Sequence, residues 1–409
     1  MTPLHCLTPL TLPNGQVIKN RLLKSAMSES LGTKEHAPSP ALETLYEAFA
    51  KGGSGIVITG NVMIDRDALG EPSNVVIEDE RHLDALKRWA AAGTQNNTSL
   101  WMQLNHPGKQ SPKFLSKTPV APSAVPLSGS YRRFFAMPRA LTLDEIDVLV
   151  KRFASAAAVA EKAGFSGVQI HAAHGYLISQ FLSPIHNQRS DHYGGTIENR
   201  TRFLKDIFLA IKAVTQPSFG VGVKLNSQDF ETGGFSEEEA LYVMKTLDAL
   251  SVDFIEISGG NYNKPVMSTG QQGENEAFFV QFAKKLRPHI QVPMVITGGF
   301  RALSVMEETL EAYEPAMIGL ARPLALDPNL PNLIAQGSYE TVNIQRLSTG
   351  FKSLDRRFGP ILGNSYYELQ MQRIAQGKPV KRTRNAWGPI FHTVWVHGFK
   401  SLLKRRHKD

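Results

Sequence analysis

Short runs of aliphatic and β-branched residues, each closing on polar or glycine positions, recur eight times along this 409-residue chain. They are RLLKSAM (21–27), GIVITGN (55–61), SLWMQLNH (99–106), GVQIHAAH (167–174), GVGVKLN (220–226), FIEISGG (254–260), PMVITGG (293–299) and AMIGLARP (316–323). Between them lie segments with apolar residues at three- and four-residue spacing, such as ALETLYEAFAKGG, DVLVKRFASAAAVAEKAG, NRTRFLKDIFLAIKAV and SEEEALYVMKTLDAL. Acidic first turns, or glycine just past the last apolar position, mark these as helices. Parallel strands need crossover helices, so eight strand–helix units predict an α/β fold, a (β/α)8 TIM barrel with its chemistry on the loops after the strands. An open doubly wound sheet is the competing arrangement, but no glycine fingerprint of that fold follows the first strand.

Two regions break the repeat. Residues 107–140, rich in Pro, Ser and Arg, are too long for an ordinary connection and predict a lid or small hairpin over the barrel mouth. The strand–helix pattern runs over 18–335, which assigns 1–335 to the barrel domain and 336–409 to a helical extension. That extension contains FKSLDRRF, SYYELQMQRIAQG and WGPIFHTVWVHGFKSLLKRRHKD.

Composition narrows the function. With 42% hydrophobic and 20% charged residues the chain can bury a large core, and disorder is not expected. One cysteine, Cys6, excludes an intramolecular disulfide, a Cys-only zinc site and a four-cysteine iron–sulfur cluster; a reducing, cytoplasmic setting is expected. The N-terminus lacks a basic-then-apolar leader pattern, and no apolar run approaches the roughly 20 residues of a spanning helix. The formal charge of +8 is local: residues 373–409 hold ten basic side chains against Asp409 alone, while the rest of the chain carries 35 basic and 36 acidic groups. Nucleic-acid binding by the whole protein loses its support. In the extension, Trp387, Phe391, Val394, Trp395, Phe399, Leu402 and Leu403 fall near helical spacing before LKRRHK. That pattern suits a peripheral contact with an anionic membrane or a partner, or a helix packed on its own barrel with a solvated basic end.

Polar residues stand at every strand end, where packing does not ask for them. They include Ser25, Ser28, Thr59, Asn61, Gln103, His106, His171, His174, Lys224, Ser258, Thr297 and Arg322. His171 and His174, three positions apart, can turn their rings into one pocket, with the Tyr176 phenol two residues on. With Asp191 the same histidines are also legitimate zinc ligands. Gly298 and Gly299 after the seventh strand let backbone N–H groups approach a ligand, and Arg322 after the eighth faces them, the usual phosphate corner of this fold. Lys224, buried by position, needs an anionic partner. A planar heterocycle that gains negative charge in one redox state would explain both Lys224 and the Gln103 amide, and a Schiff-base lysine of an aldolase or epimerase would look the same.

NRLLKSAM, GIVITGN, MQLNHPGKQ, HAAHGYLISQFLSPIHNQRSDHYGGTIENRTRF, FIEISGGNY and GLARPLALDPNLP together resemble the Old Yellow Enzyme family of FMN-dependent NAD(P)H:flavin oxidoreductases and ene-reductases, in order, from about residue 8 to 335. The resemblance implies an FMN phosphate held by the backbone of Gly299 with Ala321 and Arg322, and flavin rings resting on Ser25, Ala26 and Met27, with Ser28 at O4. It also implies Gln103 and Lys224 at the pyrimidine edge, with Thr59 and Gly298 among the cofactor-binding strand ends. His171 and His174 are implied to bind the oxygen of an enone-type, nitro or quinone substrate, with Tyr176 as proton donor and NADPH or NADH as reductant. Some members of the family have Asn in place of the second histidine, so His174 leans towards the bacterial-type or dienoyl-CoA-reductase-like branch, but without that enzyme's iron–sulfur part. Lys224 stands where the family often has Arg, and no cysteine stands near Ser28.

Overall fold

The computed structural model describes residues 4–262, 264, 279–314, 316–344 and 347–397. Eight parallel strands form it: β1 (Leu22–Lys24), β2 (Ile56–Met63), β3 (Ser99–Asn105), β4 (Gly167–Ala172), β5 (Gly220–Asn226), β6 (Ile255–Ser258), β7 (Met294–Thr297) and β8 (Ala316–Leu320). Each pairs with the next, and β8 returns to β1 through Ile318–Leu22, Gly319–Leu23 and Leu320–Lys24. That closure distinguishes a barrel from an open sheet. Helices α1 (Pro40–Lys51), α2 (Leu83–Gly93), α3 (Leu143–Ala163), α4 (Ile197–Val214), α5 (Glu237–Ala249), α6 (Val280–Leu286), α7 (Leu303–Ala312) and α8 (Arg322–Leu326) follow the eight strands in turn. Local sequence sets their ends. Thr142 and Glu145 close a capping box at the start of α3, Ser236 and Glu239 another at α5, and α3 stops at Gly164, whose φ of 94° is left-handed.

The barrel interior has two unlike halves. Below, Trp101 and Phe254 meet with ring centroids 4.8 Å apart, sealed by Leu10, Leu12 and Ile18 from the N-terminal hairpin Leu10–Thr11/Val17–Ile18. Glycines make this possible: a Cβ on Gly220 would lie 2.1 Å from the Trp101 ring, and one on Gly222 would lie 2.5 Å from Phe254. Above, the strand ends turn polar. The register of β2 against β3 shifts between Ile58 and Asn61, and the Thr59 hydroxyl accepts the Gln103 N–H at 2.9 Å within this irregularity.

The insertion after β3 is not a hairpin. Val120–Ala121 and Arg139–Ala140 pair in parallel, because the chain between them crosses back through a 3-10 turn, Gly129–Phe134, instead of reversing tightly. The two helical patterns expected at 351–377 join into one helix, α9 (Lys352–Ala375), that runs through Gly359, Pro360 and Gly363. It packs on α1 and α8, burying Tyr366, Tyr367 and Met371, and this packing overrides local propensity. A last helix, α10 (Trp387–His397), keeps Trp387 and Phe391 exposed. Side chains from residue 393 onward, including Val394, Trp395, Phe399, Leu402, Leu403 and the LKRRHK end, lie outside the described residues. Among the described residues no helix is long and apolar enough to cross a membrane.

Candidate active site

At the end of β4 the backbone turns sharply. His174 has a φ of 61°, held by its N–H donating to Asn226 Oδ1 at 3.2 Å, and this brings three rings together. His171 lies 5.0 Å from His174 and 4.9 Å from Tyr176, centroid to centroid, both edge-on. His171 Nδ1 accepts the Ala173 N–H at 3.2 Å, so a neutral ring carries its proton on Nε2. His174 Nε2 meets the Ser258 hydroxyl at 2.7 Å, which fixes that ring against β6. Burial holds both imidazoles well below their usual range, aided at His171 by His174 and then Lys224 and at His174 by Lys224, so they act as neutral groups. Burial and Tyr262 push the Tyr176 phenol well above its usual value, keeping it protonated.

Across the barrel the remaining strand ends form one hydrogen-bonded belt. Lys224 Nζ stands 3.1 Å from Glu256 Oε1, Gln169 Nε2 donates to Glu256 Oε2 at 2.7 Å, and Gln103 Nε2 donates to Gln169 Oε1 at 2.7 Å. Thr297 donates to Glu256 Oε1 at 2.9 Å and lies 3.3 Å from Ser25 Oγ. Burial raises the Glu256 carboxyl, but Lys224 and the bond from Gln169 outweigh it and hold the group below the usual carboxylate range. The anionic partner expected for buried Lys224 is present within the protein, as Glu256.

The turn after β1 is shaped from behind by charges that the sequence pattern did not expose. Lys24 is fully buried, donates to the Ile58 carbonyl at 3.0 Å, lies over the Tyr46 and Phe49 rings and stands 3.9 Å from Glu29. Ala26 and Met27 are half-buried and pack against apolar clusters, while the Ser28 hydroxyl donates to Glu71. From the C-terminal extension Glu368 comes to the same place: burial and the charge of Glu71 push it up to about 8, and His392 Nε2 is 3.8 Å away. Ser28 therefore already has a carboxylate partner at the position assigned to flavin O4.

Gly298 and Gly299 adopt φ of 112° and 89°, conformations that favour glycine. Ala321 precedes α8 and Arg322 opens it, with the Arg322 charge felt by the buried Tyr367 phenol of α9. Asp191 does not join the histidines; it takes the Arg189 guanidinium, Nη2 to Oδ2 at 2.6 Å. Among the described residues Asn105 Oδ1 and Gln110 Oε1 are buried acceptors without a partner at this mouth. A planar ligand with N–H donors and a phosphate fits this set: acceptors and a cation at the strand ends, with the Gly298–Gly299 backbone and Arg322 at the opposite rim.

Sequence reasoning did not single out Gln169, Glu256, Tyr262 or Glu71. Two had a signal, since a glutamine in GVQIHA and a glutamate in FIEIS each interrupt an apolar strand. Tyr262, whose hydroxyl lies 3.1 Å from that of Tyr176 and whose ring lies 6.0 Å from Phe135 of the insertion, had none beyond its place in GGNY.

Residues 6–341 match the NADH:flavin oxidoreductase / NADH oxidase family. The chain is 37% identical over 360 residues to the NADH-dependent flavin oxidoreductase iliE of Neonectria sp., a match covering 81% of this chain and 47% of that one. To the NADH-dependent flavin oxidoreductase iliE of Hypocrea jecorina it is 38% identical over 363 residues, covering 82% and 90%. The chain thus spans about half the length of the first relative and nine-tenths of the second. Among solved structures, the old yellow enzyme homologue from Zymomonas mobilis is similar at 26% identity and a TM-score of 0.71, over 83% of this chain and 94% of that one. Morphinone reductase in complex with tetrahydroNAD is similar at 25% identity and a TM-score of 0.69, over 82% and 91%. The family match from residue 6 to 341, on a closed barrel whose polar belt suits a flavin, means that this chain belongs to the NADH:flavin oxidoreductase / NADH oxidase family, FMN-dependent oxidoreductases of Old Yellow Enzyme type.

Proposed function

We propose that the chain uses NADH or NADPH to reduce the activated C=C bond of an α,β-unsaturated carbonyl compound, or a related nitro or quinone acceptor, in a ping-pong cycle. The observation that carries this reading is the convergence of two neutral imidazoles and a protonated phenol at the end of β4. FMN, when bound, supplies the two-electron transfer between nicotinamide and acceptor. Gly298, Gly299, Ala321 and Arg322 hold its phosphate, Ser25 to Ser28 carry its rings, and Thr59, Gln103 and Lys224 hold its polar edge. His171, through Nε2–H, and His174 bind the substrate oxygen and stabilise charge that grows there, a neutral-donor role that needs no proton loss. Tyr176 holds the proton delivered to the α-carbon. An aldolase-type role for Lys224 is disfavoured, since an attacking amine needs a free lone pair and this ammonium is tied to Glu256.

The test is anaerobic. Either nicotinamide should bleach the FMN-loaded protein, and cyclohexenone should restore the oxidised spectrum. Tyr176→Phe should slow the enone step about a hundredfold or more, while reduction by nicotinamide stays within a few-fold. Bleaching without recovery by any enone, nitro or quinone compound would sink the proposed substrate class, and equal losses in both steps would remove Tyr176 as proton donor.

A further inference from the structure

An ionised carboxylate inside a barrel is costly to desolvate, and Glu256 on β6 is fully buried. It is kept there with both oxygens satisfied: Lys224 and Thr297 on Oε1, Gln169 on Oε2. Through these partners one carboxylate touches, directly or at one remove, Lys224, Ser25 and Gln103. Because a carboxylate only accepts, Gln169 must turn its NH2 towards Glu256 and its carbonyl towards Gln103. Gln103 must then spend an N–H on Gln169, which leaves its carbonyl oxygen and second N–H for the ligand. The direction of the Gln103 amide is therefore dictated two residues away.

We propose that Glu256 is a positioning residue for the cofactor edge: it offsets the charge of Lys224, orients the Gln103 amide through Gln169, and thereby lowers the reduction potential of bound FMN. This rests on the reading that places Lys224 and Gln103 at the flavin's pyrimidine edge. A cation beside that edge favours the charge the flavin gains on reduction, and a carboxylate 3.1 Å from Nζ weakens the cation's field. A lysine paired in this way stabilises negative charge on a ligand less than its bare charge suggests, and the pairing is a property of β5 and β6 rather than of the ligand.

The experiment measures the midpoint potential and FMN dissociation constant of full-length holoprotein by anaerobic dye equilibration. Glu256→Gln should shift the reduction equilibrium at least tenfold towards the reduced form, about 30 mV for a two-electron couple, and Lys224→Met should shift it the other way. Glu256→Asp, which keeps the charge, should stay within threefold of the parent. A Glu256→Gln potential equal to the parent's, with Lys224→Met lowered, overturns the proposal and spares the placement of Lys224. An unchanged potential in Lys224→Met overturns that placement and the proposal with it. Should Glu256→Gln alone not fold, Lys224→Met and Lys224→Met/Glu256→Gln compared at alkaline pH carry the test: the double variant should have the higher potential, and equal potentials overturn the proposal.

Discussion

The lower and upper halves of the barrel are built from the same strands on opposite principles. Below, Trp101 and Phe254 fill a space cleared by Gly167, Gly220 and Gly222 and closed by the N-terminal hairpin, an apolar jigsaw. Above, Ser25, Thr59, Gln103, Gln169, Lys224, Glu256 and Thr297 spend their polar atoms on one another. The lower half is held by packing and, where the hairpin meets β5 and β6, by buried Asp253, which accepts the Asn14 and Val221 N–H groups. The upper half holds charge and neutral histidines in a buried setting, so it responds to pH and to the loss of single hydrogen bonds. Stability and chemistry are thereby assigned to different ends of one strand, which lets each end be perturbed by itself.

The sharpest way to break that separation is Trp101→Ala. It should cost about 3–5 kcal/mol in urea unfolding while leaving FMN affinity of the folded protein within threefold; a large loss of affinity would show that the two halves are mechanically coupled. Next comes pH. Burial brings His106, at the end of β3, down to about 3, whereas in the unfolded chain it titrates near 6.5. As pH falls below about 6.5 the unfolded chain takes up a proton that the folded site refuses, so stability falls with pH, by about 2 kcal/mol between pH 7 and 5 for this one group. His106→Asn should remove that share from the pH dependence of unfolding, and an unchanged slope would mean the ring is not held neutral. Third, Tyr262→Phe leaves the Tyr176 hydroxyl without its 3.1 Å neighbour and should slow the proton-dependent half-reaction about tenfold, about 1.4 kcal/mol, without altering reduction by nicotinamide. Thr142→Ala, at the cap of α3 and remote from both halves of the interior, should cost only about 1 kcal/mol and change neither FMN affinity nor turnover.

Much of this was legible in the chain before any coordinates. The eight apolar runs lie on the eight barrel strands to within a few residues, and HAAHGY already announced a cluster of rings. The partners of the strand ends were not legible, because hydrogen bonds between strands join residues 32 to 87 positions apart, as in Lys224 with Glu256 and Gln169 with Glu256. The role of the extension was legible only in part. Its charge marked it as different from the barrel, yet Glu368 and Tyr367 of α9 reach the Ser28 turn and the neighbourhood of Arg322. Nor does its periodicity show that α9 runs through Gly359 and Pro360, since a helix supported along its side by α1 and α8 tolerates residues that would end it in isolation.

By itself the sequence determined period and chemistry: strand and helix alternation comes from local spacing, and the residue types at the strand ends define what can bind or titrate. Only the tertiary structure decided closure and pairing. Whether β8 meets β1, whether Lys224 finds its anion in Glu256 and whether Ser28 faces Glu71 are contacts between distant segments. Their free energy depends on burial and distance, two quantities that no local pattern contains.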